Sequence, residues 1–416
     1  MRRVHRRLVV AAVLCVLIGS VSESRAEKAK LVYQYNWYGS STIEDAYLAL
    51  IDLFKKENPN VDLELMRGSS GGTSPDRLMA AIAGGTPPDV VQFERSIVVE
   101  WANKGLLLPI DSLMEISVKK AWLPGSYSEV SHAGRTYGLP WDTDLRGLFW
   151  NKNMVAEGGM DDSRAPATLA ELDDMAWKLT KRDADGRFTQ LGFIPWLGNW
   201  YAVGWLYTFG GTLYDPATKR PIVNSPNHVR ALEWLQTYGE RYPTGAVGAV
   251  PHGIDKGKTA MEANYIGYGR IIEASIPDLE FDVGEVPHPE FGQNGTWMGG
   301  TAHVVPQGAR NIEGAAVLLN WLARREVQAT WCRLSASLPT RTDAIPVIAN
   351  ELPGYQKKML RQAEVAFGRP PLWYPAIYNR TREAMMSVVQ LVSGPKTALD
   401  EAQRLLEIDF AAVFGE

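Results

Sequence analysis

The stretch Gly84-Gly85-Thr86-Pro87-Pro88-Asp89-Val90-Val91-Gln92-Phe93-Glu94 reads as a helix end, a turn and a buried strand in immediate succession. Paired glycines stop a helix because glycine adopts left-handed backbone without steric cost. Pro87-Pro88 then keeps the helix from restarting. Two adjacent β-branched residues suit a strand covered on both faces, as parallel strands are. Toward the N-terminus, Ser74-Pro75 opens the helix that Gly84 closes. Before it, Val61, Leu63 and Leu65 alternate with Asp62 and Glu64 as a strand requires. Ser41-Thr42-Ile43-Glu44 has the form of a capping box, and Ile43, Ala46, Tyr47, Leu50, Ile51 and Phe54 share one helical face behind it. With a strand at Leu31 to Asn36, the order strand, helix, strand, helix, strand is the βαβ signature of an α/β fold.

The same grammar returns further along. Gly147 to Trp150 is a strand, Thr168-Leu169-Ala170-Glu171 is a second capping box, and Ser225-Pro226 opens a helix with Ala231, Leu232, Leu235 and Tyr238 on one face. Ala302 to Pro306 reads as a strand returning to an existing sheet, and Gln356 to Phe414 as helices, the last from Pro395. There is no internal repeat and no low-complexity linker, so the two units are expected to be joined by short strands crossing between them.

Arg2, Arg3, Arg6 and Arg7 precede an apolar run from Leu8 to Ile18 and then Ser24-Arg25-Ala26, the pattern of a secretory signal peptide over 1–26. The run falls well short of the roughly 20 residues that span a bilayer. Cys15 follows Leu14 rather than a small residue, so no lipid anchor is expected. Cleavage after Ala26 removes five arginines and Glu23, taking the formal charge from -4 to -8. A mildly acidic chain without a basic stripe argues against nucleic acid and anionic membrane surfaces as partners. Cys332 alone remains, so no intrachain disulfide is available. The mature length exceeds what one core usually supports, which gives two domains.

All 14 tryptophans lie beyond the signal. Trp101, Trp177, Trp234 and Trp321 fall in helical runs and read as packing residues. Trp37, Trp141, Trp196, Trp200, Trp297 and Trp373 stand beside Gly, Pro, Asn or Asp. An indole face with one N–H donor suits a pyranose ring, whose C–H face stacks while its hydroxyls meet carboxylates and amides. Asn36, Asp142, Asp144 and Asn199 adjoin these tryptophans. Gln92 and Glu94 fall at the carboxyl end of a strand, where open α/β sheets bind ligands; Glu94 reads equally well as a group favouring the start of the next helix.

Several longer motifs share one source. Gly84 to Val91 with Gly105-Leu106-Leu107-Leu108-Pro109-Ile110, Tyr137 to Asp144 with Phe149-Trp150-Asn151-Lys152, Gly257-Lys258-Thr259-Ala260-Met261, Gly299-Gly300 with Val304-Val305-Pro306, and Ser337-Leu338-Pro339-Thr340-Arg341 together resemble family 1 extracellular solute-binding proteins of ABC importers. The resemblance implies a periplasmic-binding-protein-like fold, a sugar or oligosaccharide ligand, no catalysis and docking on ABC permease transmembrane subunits. It places Trp37, Glu94, Asp144 and Trp297 at the sugar, with Trp141, Trp200, Gly299 and Gly300 close behind. Asn264-Tyr265-Ile266-Gly267-Tyr268 departs from the Gly-aromatic stretch of such proteins, and Trp373, Tyr374 and Tyr378 match their C-terminal segment loosely.

The expectation is therefore two α/β lobes, each with a mostly parallel sheet, covering 27–140 plus 301–338 and 141–300 plus 339–416. Crossings fall near Leu139 to Arg146, Trp297 to His303 and Ser337 to Arg341. The expected ligand-binding set is Trp37, Gln92, Glu94, Trp141, Asp142, Asp144, Trp196, Trp200, Trp297, Gly299, Gly300, Arg341 and Trp373, in an exported monomer without cofactor or metal. Two alternatives stay open. An exported glycosidase could use Asp142 and Asp144, although such carboxylates usually come from different elements. A binder of a non-sugar solute, such as a polyamine or a glycerol phosphoester, is the other, and a phosphate ligand could use Arg67, Arg146 and Arg341. Gly68-Ser69-Ser70-Gly71-Gly72 fits a nucleophile-elbow pattern, but Pro75 delays the helix such an elbow needs.

Overall fold

A computed structural model describes residues 30–36, 41–69, 74–292, 296–335, 337–363 and 366–414. The signal segment and Trp37 lie outside the described residues. The strands that position the site are β1 Leu31–Tyr35, β2 Leu63–Arg67, β3 Val90–Glu94, β4 Leu139–Pro140, β5 Asp142–Thr143, β6 Arg146–Asn151, β7 Met261–Tyr265, β8 Phe281–Gly284, β9 Thr301–Val304 and β10 Leu338–Pro339.

The N-terminal βαβαβ forms as its pattern requires. β1 lies between β2 and β3 and is parallel to both. Helix Ser41–Glu57 places Ala46, Tyr47, Leu50, Ile51 and Phe54 in the interior beside Tyr33 and Trp321. Two later segments then extend the sheet in the order β2-β1-β3-β9-β4, with β9 antiparallel to β3 and β4 antiparallel to β9. The returning strand expected from Ala302 is thus present, at Thr301–Val304, and runs opposite to its neighbours.

The second lobe corrects one expectation. Its sheet is β7-β6-β8 and both pairings are antiparallel. Every residue of β6 is buried, and a strand covered on both faces has the same apolar sequence in either direction. The direction is set by the connection: residues 152–260 intervene between β6 and β7 and bring the chain back from the opposite end. Helices Tyr201–Thr208, Pro226–Arg241 and Tyr374–Val389 pack over this lobe, around Trp150, Trp200, Trp205, Tyr238 and Val388.

Three crossings lie side by side, as expected. β5 pairs antiparallel with β10, and Asp144 bridges to Gly299. Thr340 Oγ1 donates to the Pro140 carbonyl at 2.9 Å, tying the third crossing to the first.

Candidate functional site

The site is built where these crossings meet the strand ends. Two glycines allow the close approach. A Cβ on Gly299 would collide with the Asp144 carboxylate, and one on Gly300 with the Asp142 carbonyl. Gly300 also has φ near +122°, which an L side chain strains to adopt. Both glycines therefore shape the hinge.

Asp142 and Asp144 are two residues apart and play different parts. Asp142 accepts from Thr301 N at 2.9 Å and Thr301 Oγ1 at 2.8 Å, and its other oxygen accepts from Trp331 Nε1 at 3.3 Å. Burial raises its pKa, and the Thr301 bonds oppose the rise. Asp144 keeps about a third of its side chain exposed and faces Arg146 at 3.1 Å. The Arg146 guanidinium lies 3.4 Å over the Trp297 ring and donates through Nε to Asn199 O and Oδ1 at 2.8 and 2.9 Å. A guanidinium can stack and bond in its own plane at once, which fixes the carboxylate of Asp144 in direction.

Three partly buried tyrosines from the second lobe surround this group: Tyr201, Tyr265 and Tyr378. Tyr201 lies 6.0 Å from Trp297 and 5.3 Å, edge to face, from Tyr378. Burial raises the pKa of all three, and the charge of Asp144 adds to the rise for Tyr201 and Tyr265. Tyr201 has φ of 62°, a left-handed backbone that non-glycine residues adopt at a cost and mostly where surrounding structure enforces it. A cavity of about 150 Å³ joins both lobes here, lined by Ile43, Gln92, Asp142, Asp144, Tyr265 and Trp331 among others. A larger hollow of about 590 Å³ lies between Tyr207, Tyr214, Phe367 and Arg369 and includes none of the expected site residues.

The tryptophan expectation is corrected in its main part. Trp141 is fully buried in the first core, 4.9 Å from His303 and 5.4 Å from Trp331. Trp200 is buried in the second core with Nε1 3.3 Å from Thr208 Oγ1. Their polar neighbours in sequence suggested exposed loops, but the chain turns at those neighbours and folds the rings inward. Trp297 is buried too, beneath Arg146. Trp196 is partly buried against the second core. Trp373, at φ of 67°, lies 5.3 Å from Phe410. Arg341 is directed to Asp343, the Ala323 carbonyl and the Trp122 ring, away from the cavity. The four helical tryptophans, Trp101, Trp177, Trp234 and Trp321, pack against the cores as expected.

Gln92 lines the cavity, yet its amide is engaged by Asn36 N at 2.8 Å and Thr301 Oγ1 at 3.2 Å. Glu94 is about one-third exposed and pairs with Arg369 at 2.7 Å. Sequence reasoning missed Arg95, Glu129, Tyr201 and Arg369. None lies in a motif, and only the folded chain brings them to the crossings. Among the described residues no group of three or more His, Cys, Asp or Glu could hold a metal ion, and no helix is long and apolar enough to cross a membrane.

Known proteins are similar to this chain. The maltooligosaccharide ABC transporter solute-binding lipoprotein of Streptococcus pneumoniae is 23% identical over 393 residues, covering 90% of this chain and 89% of the relative. The galactooligosaccharide-binding protein of Bacillus subtilis is 24% identical over 406 residues, covering 92% and 90%. The sn-glycerol-3-phosphate-binding periplasmic protein UgpB of Brucella abortus is 24% identical over 287 residues, covering 64% and 66%. Among solved structures, CpMnBP1 with mannotriose bound superposes with a TM-score of 0.80 at 26% identity, covering 90% of this chain and 99% of that one. The model of the bacterial extracellular solute-binding protein family matches residues 39–329, well over half of the sequence; the chain belongs to that family.

Proposed function

We propose that the protein captures a sugar or oligosaccharide between its lobes and delivers it to an ABC permease. The observation that carries the reading is the meeting of Asp144, directed by Arg146, with three tyrosines whose hydroxyls donate to no described residue. A carboxylate and phenols beside apolar ring faces supply what a polyol needs: acceptors and donors in the plane of its hydroxyls, and a surface for its C–H groups. Asp144, Tyr201, Tyr265, Tyr378 and Glu94 are the groups assigned to ligand, with Trp297 as the layer beneath Arg146. The sugar binders among the relatives support the assignment. The ligand enters an opened cleft and closure follows by population shift, a reading that the small volume of the cavity supports.

Charge separates this reading from phosphate capture. Arg146 faces Asp144, and Arg369 faces Glu94 and Glu129. Each guanidinium near the crossings already has a carboxylate, whereas a phosphoester site needs cationic donors in excess. The lobes are assigned to 27–140 plus 301–338 and 141–300 plus 339–416, behind an export signal over 1–26 that delivers a monomer to the periplasm or to the extracellular face of the membrane. No hydrolysis is assigned, and Asp142 is committed to the hinge by its bonds to Thr301.

Thermal-shift screening of the mature protein against manno-, malto- and galacto-oligosaccharides and glycerol 3-phosphate tests the reading. A stabilising shift with one sugar class is expected, since a ligand that binds the native state stabilises it. A shift with glycerol 3-phosphate alone overturns the sugar assignment, and release of shorter sugars during incubation overturns the transport assignment.

A further inference from the structure

A chain of four charges runs from the hinge to Glu94 at the end of β3. Glu129 is fully buried between two guanidiniums, with Arg95 Nε at 2.5 Å and Arg369 Nε at 2.9 Å, and the Arg369 backbone N–H adds a third bond at 2.6 Å. Burial alone would raise its pKa, yet Arg369 and Arg95 hold it below the ordinary value. Arg95 uses its other donors on the Asp142 carbonyl at 2.7 Å and on the Gly299 carbonyl, one on each of two crossings. Arg369 directs Nη1 to Glu94 at 2.7 Å. The charges cancel, and only Glu94 has substantial exposure.

The backbone carrying Arg369 is fastened to the second crossing. Phe367 N donates to Thr296 O at 3.1 Å and Met298 N to Phe367 O at 3.0 Å. The Arg369 backbone is thereby tied to the second crossing, whereas Glu94 stands at the end of β3 in the first sheet. The fork of Arg369 reaches Glu129 on one side and Glu94 on the other, a geometry that a lysine ammonium cannot reproduce.

We propose that Arg369 is a positioning residue of the solute site, setting the Glu94 carboxylate toward the ligand when the hinge reaches its closed angle. The inference rests on the sugar-binding reading and adds a control element to it. Arg369→Lys, Glu94→Gln and the double variant are titrated calorimetrically with mannotriose, maltotriose and galactotriose, and their thermal unfolding is recorded. Arg369→Lys is expected to weaken binding about tenfold in the wild-type background and less than about twofold beside Glu94→Gln, because the loss acts through Glu94. Its effect on Tm is expected to be similar in both backgrounds. Equal loss of affinity in both backgrounds overturns the inference while leaving the sugar reading intact. A wild type that binds none of the three sugars removes the reading and the inference together. If Arg369→Lys does not fold, the neutral pair Glu129→Gln with Arg369→Gln carries the same comparison with Glu94→Gln, judged by the same two outcomes.

Discussion

The two walls of the cavity between the lobes are built on opposite plans. On one side Gln92 and Trp331 are buried, Gln92 donating to Thr301 and Trp331 to Asp142 of the first crossing, which itself accepts from Thr301. On the second-lobe side Tyr265 lines the cavity and Tyr201 and Tyr378 stand near Arg146 beside it; all three are partly buried, and their hydroxyls donate to no described residue. The first wall is a frame and the second offers functional groups. Buried polar atoms are satisfied internally because leaving them unpaired is costly, so groups left for a ligand belong where the surface stays partly open. Asp142 and Asp144 show the contrast within one strand turn: the first closes the hinge, the second faces outward.

The largest effect that tests this division is on the frame. Trp141→Ala is expected to lower the unfolding free energy by about 3 to 5 kcal/mol, measured by urea denaturation, since a large ring is lost from a packed interior. A loss of affinity with unchanged stability would return Trp141 to the ligand surface. Next is Asp144→Ala, expected to weaken sugar binding by about 2 to 3 kcal/mol in calorimetry, the scale of a charged hydrogen-bonding group. Unchanged affinity would remove it from the site.

Acid should then act on the interiors rather than on the open wall. His303 is buried against Tyr33 and Trp141, and burial pulls its pKa down to about 3. His228, in the second lobe, is pulled down to about 4 for the same reason. Both are neutral when folded, whereas the unfolded chain takes up protons as pH falls through about 6.5. Their stabilisation is complete above that value and is lost as pH drops toward the lower ones. For His303 alone roughly 2 kcal/mol should disappear between neutral pH and about pH 5. Urea midpoints across this range check it, and a flat profile would show that His303 is solvated. The smallest effects belong to the open wall. Tyr265→Phe and Tyr201→Phe should each cost about 1 kcal/mol of binding and leave unfolding unchanged. A fall in stability without loss of affinity would move those hydroxyls into the frame.

Much of the fold was legible because it depends on local pattern. Gly84-Gly85 and Pro87-Pro88 end a helix wherever they occur, the spacing from Ile43 to Phe54 forces one apolar face, and the motifs at 139–144, 299–306 and 337–341 locate three crossings. Of the residues expected at the ligand, Gln92, Asp142 and Asp144 line the cavity, and Glu94 and the two hinge glycines lie at the strand ends and crossings beside it. Trp141 and Trp200 have the sequence neighbours of exposed rings, and their inward direction follows from how the chain is packed around them. Tyr265 lies in the stretch that departs from the family pattern, so nothing in its neighbours announced it.

The order of the residues by itself determined two α/β units, their helix boundaries and the glycines at which backbones must touch, because propensity, steric exclusion and apolar periodicity act over a few residues. Tertiary structure alone decided the antiparallel second sheet, which tryptophans are interior, and the linkage of Arg95, Glu129, Arg369 and Glu94. Those outcomes depend on contacts between segments far apart in the chain, where burial and charge pairing are settled by the partner that arrives and not by the adjoining residues.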